Sequence, residues 1–433
     1  MVVLIKTLQV ILSLSVLILV HELGHFFWAR IFGIRVEKFY LFFDLGGHRL
    51  ARWKWGDTEF GIGWFPLGGY CKISGMVDES MDLDSLKKEP REWEFRAHPA
   101  WHRLLVLAGG VVNNFIFAVL VFALIAGIWG DAFISNEGAQ IYAGELAEEM
   151  GFRSGDEILA FDDYEPEDFA MLQADLVRRE ASYATVLRDG DTLSLYIDHA
   201  MFPQVLNTPY MFDLAIPFIV DSVMVGSPNA GILLRGDRIF ELDSAATPFR
   251  QDALAILANA RGSVIDAGII RASDTLHCPI QVDTAGMMGI YLRGPQNIIR
   301  RHYNALEAIP AGLRLTGQTI SGYVSDLKLL VKPSTGAYKS VGSFIAIGQV
   351  FPSAWNWYQF LSILALLSIV LGVMNLIPIP GLDGGHILFT LIEMITGRKL
   401  SDKFLAVAQM IGLVLLLLLM FLAFGNDIGR LLH

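Results

Sequence analysis

The sequence LILVHELGHFFWARIFG, at residues 17–33, places His21, Glu22 and His25 inside a nearly continuous apolar run. Ionisable groups within a membrane-spanning segment are costly and usually mark a functional site. His21 and His25 are four residues apart, so on a helix they share one face and can bind a single metal ion. Glu22 adjoins His21 and can act as general base on water at that metal. The stretch therefore predicts a membrane-spanning helix with a metal site.

The composition favours a membrane protein. The 433 residues are 53% hydrophobic and only 18% charged, more apolar and less charged than a typical soluble domain. The first apolar segment lacks the cleavage site of a signal peptide and continues through Trp28, which favours a true span. Four segments are long and apolar enough to cross a membrane, roughly residues 7–29, 104–129, 360–377 and 404–424.

The distribution of positive charge predicts the orientation. The loop at residues 30–103 carries 12 Lys and Arg, the short loop between the third and fourth spans adds three, and the terminal tails contain two. The positive-inside rule then places both loops in the cytoplasm, and both termini and residues 130–357 outside. Cys71 and Cys278 fall on opposite sides of the membrane, so we expect no internal disulfide.

The outer segment begins with a strongly acidic stretch. Residues 131–200 hold 17 Asp and Glu against 4 Lys and Arg. An acidic surface repels the phosphate backbone, which argues against nucleic acid as a partner.

A catalytic zinc takes three protein ligands and keeps one position open, so a third ligand is needed beside His21 and His25. The sequence NLIPIPGLDGGHIL at residues 375–388 favours Asp383, because its prolines stop regular helix and its glycines free the backbone. The predicted topology brings this segment and the inner end of the first span to the same side of the membrane. The candidates near apolar segments are Asp44, His48, Asp57, Asp383 and His386.

The pair of motifs resembles a known family. HELGH in a first span, with N-x-x-P-x-P-x-L-D-G-G in a later one, is similar to the site-2 protease family of intramembrane zinc metalloproteases, in particular its bacterial type that regulates sigma-E. The resemblance covers essentially the whole chain. It implies that His21, His25 and Asp383 bind Zn²⁺ and that Glu22 is the catalytic acid and base.

The same resemblance implies substrates and a location. The expected substrates are single-span membrane proteins, such as a pre-trimmed anti-sigma factor or a signal-peptide remnant. The expected location is the bacterial inner (cytoplasmic) membrane, with membrane lipid around the spans, the active site towards the cytoplasm and a role in the stress response.

Residues 36–75 alternate apolar with polar or glycine residues and contain a Gly-Asp turn, which predicts aromatic-rich strands. An ordinary cytoplasmic hairpin is one interpretation. The family resemblance implies instead a membrane-reentrant β-loop, whose strand edge could hold an unwound substrate segment by strand addition. The glycine motifs of such a loop are matched by Gly61, Gly63, Gly68 and Gly69.

Two asparagines are further candidates for substrate contact. Asn113 fills the Asn position of the family pattern A-G-P-x-x-N, although Gly110 stands where proline is usual; hydrogen bonding between spans is an equally good explanation. Asn375 lies eight residues before Asp383, and is the better candidate for contact with substrate or an oxyanion.

An internal repeat occupies the outer segment. GFRSGDEILAFD at residues 151–162 recurs as LLRGDRIFELD at residues 233–243, and each copy is followed by a helix-like stretch. The repeat resembles tandem PDZ domains, at residues 131–205 and 206–292. In this family the resemblance implies a filter against substrates with bulky outer domains, while PDZ domains can also capture C-termini.

The predicted fold is thus a polytopic α-helical membrane protein with four transmembrane helices, a reentrant β-loop and two extracytoplasmic PDZ (α+β) domains. The first two spans lie in residues 1–130, an amphipathic connecting helix in 293–350 and the last two spans in 351–433. A metal or proton transporter would need polar residues along several spans, and the fourth span offers only Gln409. A PDZ receptor with a structural zinc would need a fourth protein ligand, for which the sequence has no convincing candidate.

Overall fold

The computed structural model describes residues 2–76, 90–294, 298–335 and 342–432. The chain divides into two compact units. Residues 1–130, 302–331 and 337–433 belong to the first, here called the helical unit, and residues 131–301 and 332–336 belong to the second, the β-rich unit.

The described residues form long helices in the helical unit and mostly short strands in the β-rich unit. The α-helices are α1 (Val2–Ile31), α2 (Ala100–Trp129), α3 (Glu145–Glu149), α4 (Leu172–Arg178), α5 (Phe202–Asn207), α6 (Arg250–Asn259), α7 (Ala305–Val331), α8 (Phe344–Val350), α9 (Trp357–Leu376), α10 (Asp383–Thr396) and α11 (Asp402–Leu432). The strands are β1 (Val36–Phe43), β2 (Arg49–Trp55), β3 (Thr58–Gly63), β4 (Phe65–Ile73), β5 (Asp131–Ile134), β6 (Ile141–Ala143), β7 (Glu157–Phe161), β8 (Tyr183–Arg188), β9 (Asp191–Tyr196), β10 (Phe212–Leu214), β11 (Val220–Val223), β12 (Arg238–Leu242), β13 (Ala245–Ala246), β14 (Val264–Arg271), β15 (Asp274–Gln281), β16 (Ile290–Leu292) and β17 (Ile298–Arg301).

Among the described residues, four helices of the helical unit are long and apolar enough to cross a membrane. They are α1, α2, α9 and the part of α11 from Phe404 to Asp427. They coincide with the four spans predicted from the sequence, so the prediction of a polytopic α-helical protein is confirmed. The predicted connecting helix corresponds to α7, which packs so closely on α2 that a Cβ added to Gly312 would lie 2.5 Å from the carbonyl oxygen of Val119.

Between α1 and α2 the chain forms a four-stranded sheet, as the alternating pattern of residues 36–75 predicts. The strand order is β2-β3-β1-β4, with β1 and β3 parallel and the other pairs antiparallel. One face is aromatic and packs on α1, where the ring of Phe26 lies 5.5 Å from Phe39 and 5.7 Å from Phe60. Within the described residues β4 pairs with β1 alone, so its other edge is unpaired.

The β-rich unit consists of two similar repeats. The first contains the sheet β7-β8-β9 and the ribbon β10-β6, and the second contains the sheet β13-β12-β14-β15 and the ribbon β11-β16. The ribbon β17-β5 pairs Arg301 with Asp131, so the two ends of the unit lie side by side.

The glycine-aspartate turn explains the sequence repeat. Gly155 and Gly236 have φ angles of +99° and +94°, a region that favours glycine because it lacks a Cβ. The aspartates that follow are 1% exposed, and each forms an ion pair with an arginine of a later strand: Asp156 with Arg188 at 2.7 Å and Asp237 with Arg271 at 2.7 Å. Equivalent contacts at equivalent positions show that the two repeats share one local structure.

The Asp237 carboxylate illustrates how this turn is held. Its burial opposes ionisation, but hydrogen bonds from the Arg271 guanidinium and from the backbone N–H of Leu234 outweigh that effect and lower the pKa of Asp237. The ion pair therefore stabilises the folded repeat at neutral pH, and the stabilisation is lost as the pH falls through the lowered pKa.

A short ribbon lies near the predicted boundary between the repeats, which we placed after residue 205. Strand β10 pairs with β6 through Phe212–Ala143, Asp213–Tyr142 and Leu214–Ile141. A three-residue strand has too short a pattern to be recognised in the sequence. The bounds of the two domains stay predictions.

Candidate metal centre

The first two side chains of the site come from one face of α1. His21 and His25 are 8% and 7% exposed, in a helix that is otherwise strongly apolar. Their Nε2 atoms lie 3.3 Å apart. The i, i+4 spacing thus brings two imidazole nitrogens to one point, as predicted.

The third side chain is Asp383, at the first residue of α10. Its Oδ2 lies 3.1 Å from His21 Nε2 and 3.3 Å from His25 Nε2. The predicted break is present, because α9 ends at Leu376 and α10 begins at Asp383. A Cβ on Gly384 would lie 2.3 Å from the carbonyl oxygen of Ile377, so this glycine permits the tight turn that points Asp383 inward.

The three atoms fit a zinc ion. Zinc bonds to His and carboxylate ligands of 2.0–2.2 Å at tetrahedral angles place ligand atoms about 3.3–3.6 Å apart, close to the observed triangle. Oδ2 of Asp383 is buried without a well-formed hydrogen bond, as expected of an atom whose lone pair is reserved for a metal. Within the described ranges the cluster contains no fourth His, Cys, Asp or Glu. The donor set therefore suits an open, catalytic site better than a closed structural one.

The other candidates for the third ligand lie outside this cluster. Asp44 accepts a hydrogen bond from Tyr70 and forms an ion pair with Lys38. His386, one turn further along α10, lines a separate cavity together with Arg103 and Glu393. His48 and Asp57, on the loops that flank β2, are likewise not among the converging residues. Of the candidates considered, the structure brings only Asp383 to the two histidines.

The carboxylate of Glu22 lies at the metal centre. It interacts electrostatically with His21, His25 and Asp383, and it approaches the backbone N–H of Cys71 on β4. A proton acceptor therefore lies close to the three ligands. The role of Glu22 as general base stays a prediction.

Polar contacts fix the outer sides of the two imidazoles. His25 Nδ1 donates to the carbonyl oxygen of Val106 at 2.9 Å. On the other ring, His21 Nδ1 lies 3.1 Å from the amide nitrogen of Asn114. Asn375, one of the two asparagines predicted from the sequence, has its Nδ2 3.3 Å from His21 Nε2 and so lies at the metal-facing side of the site.

The sequence singled out Asn113, and the structure places it elsewhere. Its amide donates to the backbone oxygen of Val20 at 3.3 Å, a contact between two spans. The side chains of adjacent residues point about 100° apart around the axis of a helix. Of the two asparagines, only Asn114 therefore faces His21. Any side chain on Gly110, proline included, would overlap the imidazoles of His21 and His25. Only the direction of the facing helix, which the sequence did not supply, distinguishes the two asparagines.

The four predicted glycines divide into two groups. Gly61 and Gly63 lie on β3, which is paired on both sides, and a Cβ there would overlap the ring of Tyr40 or the backbone of Phe43. Their position supports a packing role rather than contact with substrate. Gly68 and Gly69 lie on the edge strand β4, where a Cβ on Gly69 would lie 2.6 Å from Ile18 of α1. Gly69 thus lets β4 approach the helix that carries the metal ligands, whereas Gly68 makes room for the ring of Phe43 on β1, 2.2 Å from where its Cβ would be.

Gly110 lets α2 approach the metal ligands, and we predict that Gly110→Ala damages the site. A Cβ there would lie 2.4 Å from His25 Nε2 and 2.7 Å from His21 Cε1. Because both ligands must move, we expect zinc affinity to fall at least about 10-fold, the lower end of what losing an outer partner of a ligand costs. Gly127→Ala on the same helix is the control, since its Cβ would meet only Ala308, at 3.6 Å. Equal zinc affinity of the two variants, measured by competition with a chelator, would refute this view of the helix contact.

Comparison with known proteins agrees with this geometry. The family model of Peptidase family M50 matches residues 9–419. The chain belongs to peptidase family M50. It is an intramembrane zinc metalloprotease of the site-2 protease type.

Relatives in other bacteria extend along nearly the whole chain of this M50 peptidase. It is 32% identical to the regulator of sigma-E protease RseP of Escherichia coli (strain K12), over 97% of this chain and 98% of the relative. It is 30% identical to the RseP of Salmonella typhimurium (strain 14028s / SGSC 2262), over 97% of this chain and 98% of the relative. A relative in Xylella fastidiosa (strain 9a5c), whose name describes a zinc metalloprotease, is 29% identical over 96% of this chain and 97% of the relative.

One solved structure is similar to a small part of the M50 peptidase. The PDZ domain of the SdrC-like protein from Listeria monocytogenes is 24% identical, covers 18% of this chain and 86% of that chain, and has a TM-score of 0.16.

Proposed function

We propose that this M50 peptidase hydrolyses a peptide bond within the transmembrane segment of a single-span membrane protein, with Zn²⁺ held by His21, His25 and Asp383. One observation carries the proposal. Three buried ligand atoms converge within 3.1–3.3 Å of one another beside Glu22, and two of them belong to α1, a helix long and apolar enough to cross a membrane. A bond cleaved at this position lies inside the apolar layer.

The side chains divide the chemistry between them. Zinc at this site supplies Lewis acidity, which makes water a nucleophile near neutral pH and polarises a carbonyl oxygen. Glu22 accepts the proton of the attacking water and returns it to the leaving amine. The amide of Asn375 is 3.3 Å from His21 Nε2, so its N–H groups can stabilise the negative charge that develops on the carbonyl oxygen.

The unpaired edge of β4 is the proposed place for the substrate backbone. A transmembrane helix satisfies its own peptide groups, so a segment must unwind before hydrolysis, and its freed N–H and C=O groups need partners in an apolar layer. An unpaired strand edge supplies such partners by strand addition. Glu22 approaches Cys71 of this same strand, so a segment added to β4 would pass close to the catalytic carboxylate. Gly69 contributes by letting β4 lie close to α1, and Gly68 by making room for Phe43 within the sheet.

The two repeats of the β-rich unit are proposed to be PDZ domains that exclude bulky substrates rather than capture C-termini. Capture needs free backbone N–H groups that can bind a carboxylate. Before β16, Asp283 Oδ1 already accepts from the N–H groups of Ala285 and Met287, each at 2.8 Å. Before β10, the N–H of Met211 is taken by the side chain of Gln173 at 2.9 Å. In both segments a side chain of the same repeat thus already occupies N–H groups that a carboxylate would need.

The location and substrates follow from the family and from the charge pattern. We place the protein in the bacterial inner membrane, with the β-rich unit and both termini outside, the site near the cytoplasmic side and the sheet β1–β4 reentering the membrane. Two relatives are named regulators of sigma-E protease, which supports a pre-trimmed anti-sigma factor as one substrate. Signal-peptide remnants also have a single membrane-spanning segment with a short outer end. They are a second proposed class of substrate.

The test uses the full-length protein in liposomes with a single-span substrate whose outer domain is short. We expect cleavage that a zinc chelator stops and added Zn²⁺ restores. A substrate with a folded outer domain should resist cleavage if the repeats act as a filter. A protein that binds one zinc per chain but cleaves no single-span substrate would instead support a receptor with a metal site that is not hydrolytic.

A further inference from the structure

Asn114 combines three features that the proposed reaction does not yet use. Its side chain is 0% exposed. Its amide nitrogen lies 3.1 Å from His21 Nδ1. Its amide oxygen is buried and has no hydrogen-bond partner among the described residues. A buried amide oxygen without a partner is costly, so its retention in an apolar span calls for an explanation.

The backbone of Asn114 is held firmly in place. The Ser368 hydroxyl of α9 donates to the carbonyl oxygen of Asn114 at 2.8 Å, and Ser368 is itself 0% exposed. Asn114 thus connects the helix that carries Asn375 with the ring of His21 on α1. With its backbone fixed, the side chain keeps one simple freedom, a half-turn of the amide that exchanges its oxygen and nitrogen.

Which nitrogen of His21 binds the metal decides whether the oxygen or the nitrogen of the Asn114 amide must face the ring. His21 Nε2 is the atom that meets Asp383 Oδ2 and His25 Nε2. A neutral imidazole that binds a metal through Nε2 carries its proton on Nδ1, so Nδ1 needs an acceptor. For His25 the carbonyl oxygen of Val106 is that acceptor. For His21 the amide of Asn114 is the group in reach, and only its oxygen can accept.

We infer that Asn114 is a positioning residue for the metal centre: its Oδ1 accepts the Nδ1 proton of His21 and so fixes the tautomer and ring orientation in which Nε2 binds zinc. This hydrogen bond requires a half-turn of the Asn114 amide. The half-turn brings the unpartnered Oδ1 next to Nδ1 of His21. This inference rests on the proposed role of His21 as a zinc ligand.

The experiment measures zinc affinity of the full-length protein in detergent, by competition with a chelator and without substrate. Asn114→Leu keeps the approximate size but offers no acceptor, and we expect its zinc affinity to fall about 10–100-fold, the usual effect of losing an outer partner of a histidine ligand. Asn114→Asp offers only acceptors, and its affinity should stay within about threefold of the parent protein, because carboxylates are common partners of metal-bound histidines. Asn113→Leu is the matched control and should leave the affinity unchanged.

A second readout separates positioning from general damage. The visible absorption of the Co²⁺-loaded protein reports ligand geometry; we expect it to change in Asn114→Leu and to be kept in Asn114→Asp, while thermal unfolding confirms that all three variants are folded. Equal zinc affinity in Asn114→Leu and the parent, or equal losses in the Leu and Asp variants, would overturn the inference. Tight zinc binding that depends on Asn114 in a protein that cleaves nothing would overturn the proposed function and leave this inference standing.

Discussion

Replacing Glu22 with glutamine is expected to lower kcat/KM by about 100- to 10,000-fold, the range that a general acid-base residue contributes, while one zinc per chain stays bound. The reason is that glutamine keeps the size of glutamate but cannot accept the proton of water. Glu22 is not one of the three converging ligands, so the metal should not depend on it. The measurement is product formation from a single-span substrate with a short outer domain, together with the zinc content of each preparation.

The control for this variant is Glu145→Gln, which makes the same chemical change at an exposed residue, the first of α3 in the β-rich unit. It should cleave like the parent protein. Loss of an acid-base residue lowers the rate at least about 100-fold. If Glu22→Gln kept more than about a tenth of the activity, its loss would be smaller than that, and another group would have to act as the base. If it lost its zinc instead, Glu22 would be a metal ligand and its proposed role would be wrong.

The second large effect is expected for Asp383→Asn. The amide cannot match the negative charge of the carboxylate, whose Oδ2 lies 3.1 and 3.3 Å from the two histidine nitrogens. Loss of a direct ligand should cost more than loss of an outer partner, so we expect zinc to bind more than about 100-fold more weakly. Cleavage should disappear at zinc concentrations that saturate the parent protein, and part of it should return at much higher zinc.

His386→Ala is the control for Asp383→Asn, because His386 is a neighbouring potential ligand on the same helix. It lies one turn further along α10, outside the converging group. We expect it to keep the zinc affinity of the parent protein. The opposite pattern, weak binding in His386→Ala and unchanged binding in Asp383→Asn, would mean that the helix end is rotated and that His386 is the third ligand.

The centre of the site could be predicted from the sequence because its chemistry conflicts with its surroundings. His21, Glu22 and His25 stand out in an apolar span, since only a function justifies the cost of burying them there. Asp383 stands out because prolines and glycines break the helix just before it. The four spans were equally visible, because each needs a long apolar stretch that few other structures require.

The finer details depend on packing that sequence patterns do not contain. Asn113 and Asn114 are chemically the same, and only the direction of α1 shows that Asn114 faces His21. Gly61 matched a family motif but lies inside the sheet, where its missing side chain makes room for Tyr40. The pairing of β10 with β6 is long-range, and no local pattern predicts it.

The position of the cut in a single-span substrate tests the central claim most directly. Mass spectrometry of both fragments, after incubation with the zinc-loaded protein in liposomes and with Glu22→Gln in parallel, gives that position to the residue. The account predicts new termini inside the apolar segment, produced by the parent protein and absent with the variant. Termini in a soluble flank, or the same fragments from both proteins, would contradict intramembrane hydrolysis at the site formed by His21, His25 and Asp383.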